Sequence, residues 1–167
     1  MWTELYWVTC SWPGKLALAA RPRGGDWLAD EMSGWRRAGI DAVLSLLTPT
    51  EDVDLDLQAE RGEANACGIE FISFPIPDRQ VPDSEAAMAS TAETLDAVLT
   101  SGKNVVVHCR QGVGRTGLVA ACLLVAKGLS PQEAVARLSA ARGEPVPETL
   151  EQRRWIDRYA ATFAGTG

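Results

Sequence analysis

The sequence predicts an α/β fold with a central, mostly parallel sheet of about four to five strands and helices on both faces. Short, nearly continuous apolar runs at 41–47, 69–74 and 105–107 have the length and composition of strands buried on both faces. Longer segments with helical periodicity separate these runs, and this alternation indicates parallel crossovers. A chain of 167 residues is long enough for one substantial core and short for two, so we expect a single domain over 1–167.

Turn residues and periodicity predict the remaining elements in order. Segments 5–9 and 15–19 flank a turn that contains Pro13 and Gly14, which predicts a small N-terminal hairpin. Helices are predicted at 27–38, 84–99, 118–126, 131–141 and 148–163. We expect Asp26 to cap the first of these helices. In the last helix, the residues expected to face inward are Leu150, Trp155, Ile156 and Tyr159.

An acidic segment follows the strand predicted at 41–47. Thr48 and Pro49 are typical of a helix start, because threonine caps a helix and proline suits its first position. We therefore expect one or two short helices over 51–63, with their charges on the surface.

Composition excludes several classes of function. The net charge of −6 and the pI near 4.8 argue against a nucleic-acid partner and against broad binding to an anionic membrane. The longest apolar run, 118–126, is far below the roughly 20 residues that span a bilayer, so we expect no membrane span and a cytoplasmic protein. Four dispersed cysteines and one histidine predict no metal site and no cofactor.

A glycine-rich loop at 108–117 places a cysteine and an arginine six positions apart, between an apolar strand and an apolar helix. Backbone N–H groups converge at such a helix N-terminus, which carries roughly half a positive charge. The loop therefore suits a tetrahedral oxyanion, with Arg115 as a planar fork for two of its oxygens. The same field favours the thiolate of Cys109, which is the nucleophilic form of a cysteine.

This loop matches the HCxxGxxR(S/T)G signature at every fixed position. The chain therefore resembles the cysteine-dependent protein tyrosine phosphatases, and in its compact layout the dual-specificity type, including cyclin-dependent kinase inhibitor 3-like and atypical members. The resemblance implies the phosphatase fold and a hydrolase that works through a cysteinyl-phosphate intermediate without a metal. It implies that the substrate phosphate is bound by Arg110, Gln111, Gly112, Val113, Gly114 and Arg115.

The family mechanism also uses a general acid, which is an aspartate on a loop before the cysteine. Asp78 lies 31 residues before Cys109, in a loop at 75–83 that contains three prolines. Asp83 is the alternative acid, and it would otherwise cap the helix predicted from Ser84. Such an acid contributes a factor of about 10²–10⁴ to the rate.

The resemblance assigns further roles around the nucleophile. His108, the only histidine, would organise the loop by hydrogen bonds rather than act as a general base. The Thr116 hydroxyl would stabilise the Cys109 sulfur as a leaving group. Gln152 resembles a glutamine that positions the hydrolytic water in some relatives, and a solvated helix glutamine is the alternative. A redox pairing of Cys67 with Cys109 stays open.

The resemblance implies a phosphorylated protein or peptide as substrate, with phosphotyrosine and also phosphoserine or phosphothreonine admitted by a shallow pocket. Arg110 is similar to a basic residue of inositol-lipid phosphatases, which leaves a phosphoinositide or another small phosphate ester as an alternative. Val113 stands where such enzymes often carry a lysine. A non-catalytic phosphate-binding module is a second alternative, although it needs no nucleophile such as Cys109. We expect a monomer.

Overall fold

Five strands form the central sheet of the protein, whose computed structural model describes residues 2–164. The strands are β1 (Tyr6–Val8), β2 (Leu16–Ala19), β3 (Ala42–Ser45), β4 (Glu70–Ser73) and β5 (Val105–His108). Their order across the sheet is β1-β2-β5-β3-β4. β1 pairs with β2 in antiparallel orientation, and the other neighbouring strands are parallel. These pairings confirm the predicted hairpin and the mostly parallel sheet.

Helices cover both faces of this sheet. Those in the described residues are α1 (Leu28–Arg37), α2 (Pro49–Asp54), α3 (Glu60–Ala66), α4 (Glu85–Thr100), α5 (Gly114–Ala126), α6 (Pro131–Arg142) and α7 (Leu150–Ala164). Among residues 2–164, no helix combines the length and apolar character needed to cross a membrane. The layers therefore match the predicted α/β architecture.

The central strand β5 is buried on both faces because its alternate valines enter two separate cores. Val105 and Val107 pack in the core that contains Cys109, and Val106 packs in the core on the opposite face. Cys67 packs against this second core, where its sulfur lies 3.6 Å from the hydroxyl of Ser33. The structure therefore does not bring Cys67 to Cys109.

Two local predictions are wrong. Asp26 lies inside a 3-10 turn at Gly25–Trp27, and no side chain caps α1. Leu150 is 63% exposed, although Trp155, Ile156 and Tyr159 are buried as predicted. Leu150 lies nine positions before Tyr159, which is about two and a half helical turns, so the two side chains face opposite sides of α7.

Candidate active site

The loop after β5 begins the site at the carboxyl edge of the sheet. Gly112 has a φ of +75°, and a Cβ at this position would lie 2.5 Å from the backbone of Ala19, so a side chain does not fit. The Gly112 N–H donates a hydrogen bond of 3.3 Å to the Cys109 sulfur. Cys109 is 3% exposed and lies just before the N-terminus of α5. The loop thus points a backbone donor and the helix dipole toward the sulfur.

Arg115 is held in a fixed orientation by three buried hydrogen bonds and one at the surface of the cavity. Its guanidinium donates to both oxygens of Glu51, at 2.7 and 2.9 Å, and to the carbonyl of Ile76 at 2.8 Å. It also donates to Asp78 at 3.0 Å. Burial opposes the charge, but the hydrogen bond to Glu51 and the charge of Cys109 raise the pKa of Arg115 above its ordinary value.

Glu51 reaches Arg115 because of the way in which α2 begins. The Thr48 side chain accepts from the Glu51 N–H, and the Glu51 side chain accepts from the Thr48 N–H, which is a capping box. Burial raises the pKa of Glu51, yet the hydrogen bonds from Arg115 and Thr48 and the charge of Arg115 together outweigh burial, and the net pKa is lowered. Glu51 is 7% exposed, so the prediction of a surface charge is wrong at this position. The capping box can be predicted from the sequence, because Thr48 and Glu51 are three residues apart. The ion pair between the same Glu51 carboxylate and Arg115 cannot be predicted in this way.

The loop at 75–83 brings Asp78, and not Asp83, to the cavity that contains Cys109. Asp78 lines the same cavity as Cys109, and its side chain is 49% exposed. Asp83 is exposed and does not line this cavity. Nor does it cap α4, because Ser84 accepts the capping hydrogen bond from the Ala87 N–H at 3.0 Å.

Contacts from the start of α7 hold this loop over the cavity. Arg79, with a φ of +64°, forms an ion pair with Glu148. The Gln152 side chain donates to the carbonyl of Gln80 at 3.1 Å and accepts from the N–H groups of Glu148 and Thr149. Gln152 is 0% exposed, so the alternative of a solvated helix glutamine is wrong.

His108 lies beneath the loop in a second buried charged contact. Its Nε2 is 2.6 Å from Oε2 of Glu60, and its Nδ1 is 3.3 Å from the carbonyl oxygen of Cys109. Glu60 is 1% exposed, so it is the second exception to the predicted acidic surface. Sequence offers no signal for this contact, because 48 residues separate the two partners.

Two further residues lie at the loop, and only one of them makes side-chain hydrogen bonds to it. Thr116 is 0% exposed, and within residues 2–164 its hydroxyl has no hydrogen-bond partner. Arg142 donates to the carbonyls of Gln111 and Gly112, at 3.0 and 3.1 Å, and lies 4.2 Å from the centre of the Tyr6 ring. Arg142 therefore fixes the outer side of the loop, a role that the sequence did not predict.

The resulting cavity has a volume of about 230 Å³. Its lining consists of Asp78, Arg79, Cys109, Arg110, Gln111, Gly114, Arg115 and Glu148. Gly112 and Val113 are buried behind it. The cavity is small and predominantly polar, with arginines at its base and rim, which suits a phosphate group rather than a large apolar ligand.

The fold and this site resemble those of the compact cysteine phosphatases of the dual-specificity type. A family model described as "Polymorphic toxin system, DSP-PTPase phosphatase" (Tc-R-P) matches residues 18–129, which is more than half of the chain. The chain belongs to this family.

Individual relatives agree with this assignment. Cyclin-dependent kinase inhibitor 3 of Sus scrofa is 36% identical over 99 residues, which are 58% of this chain and 46% of that protein. The chain thus spans about half the length of the curated relatives it matches. A crystal structure of kinase associated phosphatase, with its catalytic-site cysteine replaced by serine, has a TM-score of 0.87 and 25% identity over 97% of this chain and 96% of that one. Tk-PTP in its active form has a TM-score of 0.77 and 26% identity over 93% and 97% of the two chains.

Proposed function

We propose that this protein hydrolyses phosphate monoesters of protein tyrosine, and of serine and threonine, through a cysteinyl-phosphate intermediate. One observation carries the proposal: a single polar cavity holds the Cys109 sulfur, the Arg115 guanidinium and the Asp78 carboxyl group. A nucleophile, an oxyanion clamp and a proton donor within one site are the three parts that phosphoryl transfer to a cysteine needs.

The first step forms the intermediate. The Cys109 thiolate attacks phosphorus, the bond from phosphorus to the substrate oxygen breaks, and Asp78 gives its proton to that oxygen. Arg115 and the loop amides bind the phosphoryl oxygens, on which negative charge is spread in the transition state. Glu51 keeps Arg115 oriented before substrate arrives, so little reorganisation is needed during the reaction.

The second step regenerates the enzyme. The Asp78 carboxylate takes a proton from water, the water oxygen attacks phosphorus, and the phosphorus–sulfur bond breaks to release inorganic phosphate and thiolate. Thr116 is proposed to donate a hydrogen bond to the departing sulfur, a role for which its buried hydroxyl is available. Gln152 lies beside Gly114, where a Cβ would be 3.1 Å from the glutamine oxygen, and we assign it the positioning of loop and water.

The charges at the rim favour a phosphorylated protein over a phosphoinositide. Arg110 lines the cavity, as the lipid alternative requires, but Glu148 places a carboxylate there and already pairs with Arg79. The Glu148 carboxylate would repel the additional phosphates of a phosphoinositide headgroup, whereas a single phosphorylated side chain carries no additional phosphate. The names kinase associated phosphatase and cyclin-dependent kinase inhibitor 3 connect the relatives with kinases, which supports a protein substrate. A monomer suffices, because one chain supplies the whole cavity.

A metal-free assay with p-nitrophenyl phosphate tests the proposal. We expect turnover in the presence of a chelator, and a loss of at least about 10³-fold in Cys109→Ser, because serine is a far weaker nucleophile at neutral pH. Cys10→Ser is the matched control, since Cys10 lies outside the cavity, and it should retain full activity. Unchanged turnover in Cys109→Ser would refute the mechanism. A panel of phosphopeptides and phosphoinositides then separates the two substrate classes, with higher kcat/KM expected for phosphopeptides.

A further inference from the structure

The contact between His108 and Glu60 constrains the protons on the imidazole. Nε2 faces a carboxylate oxygen at 2.6 Å, and Nδ1 faces the carbonyl oxygen of Cys109 at 3.3 Å. A carbonyl and a carboxylate both accept hydrogen bonds, so both contacts are hydrogen bonds only when both ring nitrogens carry a proton. The side chains of the pair are 0% and 2% exposed, so water does not supply another partner for the ring.

The charges around His108 are negative. Glu60 contacts the ring from α3, Asp52 acts on it from α2, and α1 contributes the uncharged ring of Trp35 at 6.0 Å. Burial disfavours the imidazolium, but the charge and hydrogen bond of Glu60, the hydrogen bond to the Cys109 carbonyl and the charge of Asp52 together raise the pKa of His108 above its ordinary value. Among the described residues, the second oxygen of Glu60 has no hydrogen-bond partner, which leaves His108 as the partner of this carboxylate.

The two charges of the pair do not act equally on the nucleophile. His108 adjoins Cys109 in the chain and turns its Nδ1 toward the Cys109 carbonyl, whereas Glu60 meets the other ring nitrogen. The positive end of the pair therefore faces the backbone of Cys109, and the negative end lies on the opposite side of the ring. In a buried region, such an orientation favours a negative charge on the sulfur.

We propose that Glu60 is a positioning residue that holds His108 as an imidazolium beneath the loop and thereby favours the thiolate of Cys109. The inference rests on the proposed role of Cys109 as nucleophile. Glu60 does not line the cavity and does not contact the substrate. It acts through His108, and no proton leaves the ring during the reaction.

Because the chain contains one histidine, NMR of protein labelled with ¹⁵N-histidine reports His108 alone, provided that no histidine tag is attached. In the wild-type protein we expect both ring nitrogens to remain protonated at a pH above the ordinary histidine midpoint of about 6.5. In Glu60→Gln, which keeps the side-chain size and removes the charge, the ring should become neutral at that pH. A neutral wild-type ring, or an unchanged ring in the variant, would overturn the proposal.

The thiolate is measured separately by the pH dependence of iodoacetamide alkylation at Cys109, followed by mass spectrometry. Glu60→Gln should move the midpoint of this profile upward by on the order of one pH unit, which slows alkylation about tenfold on the acidic side. Glu63→Gln is the matched control, because it removes a carboxylate from the same helix without touching His108, and it should leave the midpoint unchanged. An identical midpoint in Glu60→Gln and wild type would contradict the proposal.

The NMR and alkylation measurements do not depend on turnover, so they test the role of Glu60 separately from the proposed phosphatase activity. Absence of p-nitrophenyl phosphate hydrolysis with the expected NMR and alkylation results would refute the proposed function and leave the role of Glu60 intact. If Glu60→Gln fails to fold, the wild-type titration alone decides, since loss of a ring proton below the ordinary midpoint would exclude a stabilised imidazolium.

Discussion

Replacement of Glu51 by glutamine should destabilise the protein and lower its affinity for phosphate, while leaving the volume of the side chain nearly unchanged. In the native protein, Arg115 donates hydrogen bonds to both Glu51 oxygens, at 2.7 and 2.9 Å. A glutamine accepts through one oxygen and turns an NH₂ group toward the guanidinium. The substitution therefore removes one of two charge-assisted hydrogen bonds and the charge that compensates Arg115.

The magnitude follows from the burial of the pair. A charge-assisted hydrogen bond contributes about 1.5–3 kcal/mol, and a buried ion left without its partner costs about 3–5 kcal/mol. Asp78 also contacts Arg115, but its side chain is 49% exposed and solvent screens its charge. We therefore expect the free energy of unfolding to fall by about 3 kcal/mol at neutral pH.

The effect should depend on pH in a defined direction. Although burial raises it, the pKa of Glu51 is lowered overall in the folded protein by Arg115. The stabilisation is thus fully present above the ordinary value of 4.5 and is lost as pH falls through the lowered pKa. The difference between wild type and Glu51→Gln should shrink over that acidic range.

Urea denaturation monitored by tryptophan fluorescence measures the change, and titration with orthovanadate measures oxyanion affinity. Ser130→Ala is the control, because it removes the cap of α6, at a cost of about 1 kcal/mol, and lies outside the cavity that contains Arg115. Only Glu51→Gln should weaken orthovanadate binding. Equal losses of stability in the two variants, with unchanged oxyanion affinity in both, would refute the reasoning.

Three further predictions concern the loop at 75–83, the carboxyl group of Asp52 and Gly112 in the loop after β5. Asp78→Asn should lower kcat for p-nitrophenyl phosphate by a factor of about 10²–10⁴ and remove the alkaline limb of the pH profile of kcat, whereas Asp83→Asn should do neither. Loss of rate and of the alkaline limb in Asp83→Asn instead would identify Asp83 as the general acid. Burial and neighbouring carboxylates raise the pKa of Asp52 to about 6, so its folded form favours the proton and stability falls as pH rises through that value. Asp52→Asn should therefore add about 1–2 kcal/mol to the free energy of unfolding at neutral pH and little near pH 3.8, and an equal gain at both would contradict this. Gly112→Ala should lower the free energy of unfolding by about 2 kcal/mol or more, because of the positive φ and the backbone contact. Gly62→Ala, in open space within a helix, should raise the free energy of unfolding by about 0.5–1 kcal/mol. Similar effects of the two substitutions on the denaturation midpoint would refute the steric argument.

Local sequence patterns suffice to predict the sheet, its flanking helices and the loop that carries Cys109 and Arg115. These features are local: an apolar strand, glycines at the turn and an apolar helix occupy one continuous stretch of chain. The capping box at Thr48 is equally local, because its partners are three residues apart. Each of these features is defined by residues that are close together in the sequence, so the sequence alone suffices to predict it.

Local sequence patterns do not predict which distant side chains meet at this loop, because those contacts depend on the packing of the whole chain. The charges of Glu51 and Glu60 predict surface positions, yet parallel crossovers carry both residues to the end of β5, where they are buried beside Arg115 and His108. The burial of Gln152 depends likewise on how α7 meets the loop at 75–83. A charged residue is buried only when a partner of opposite charge is placed beside it, and that placement depends on the packing of the whole chain rather than on its local pattern.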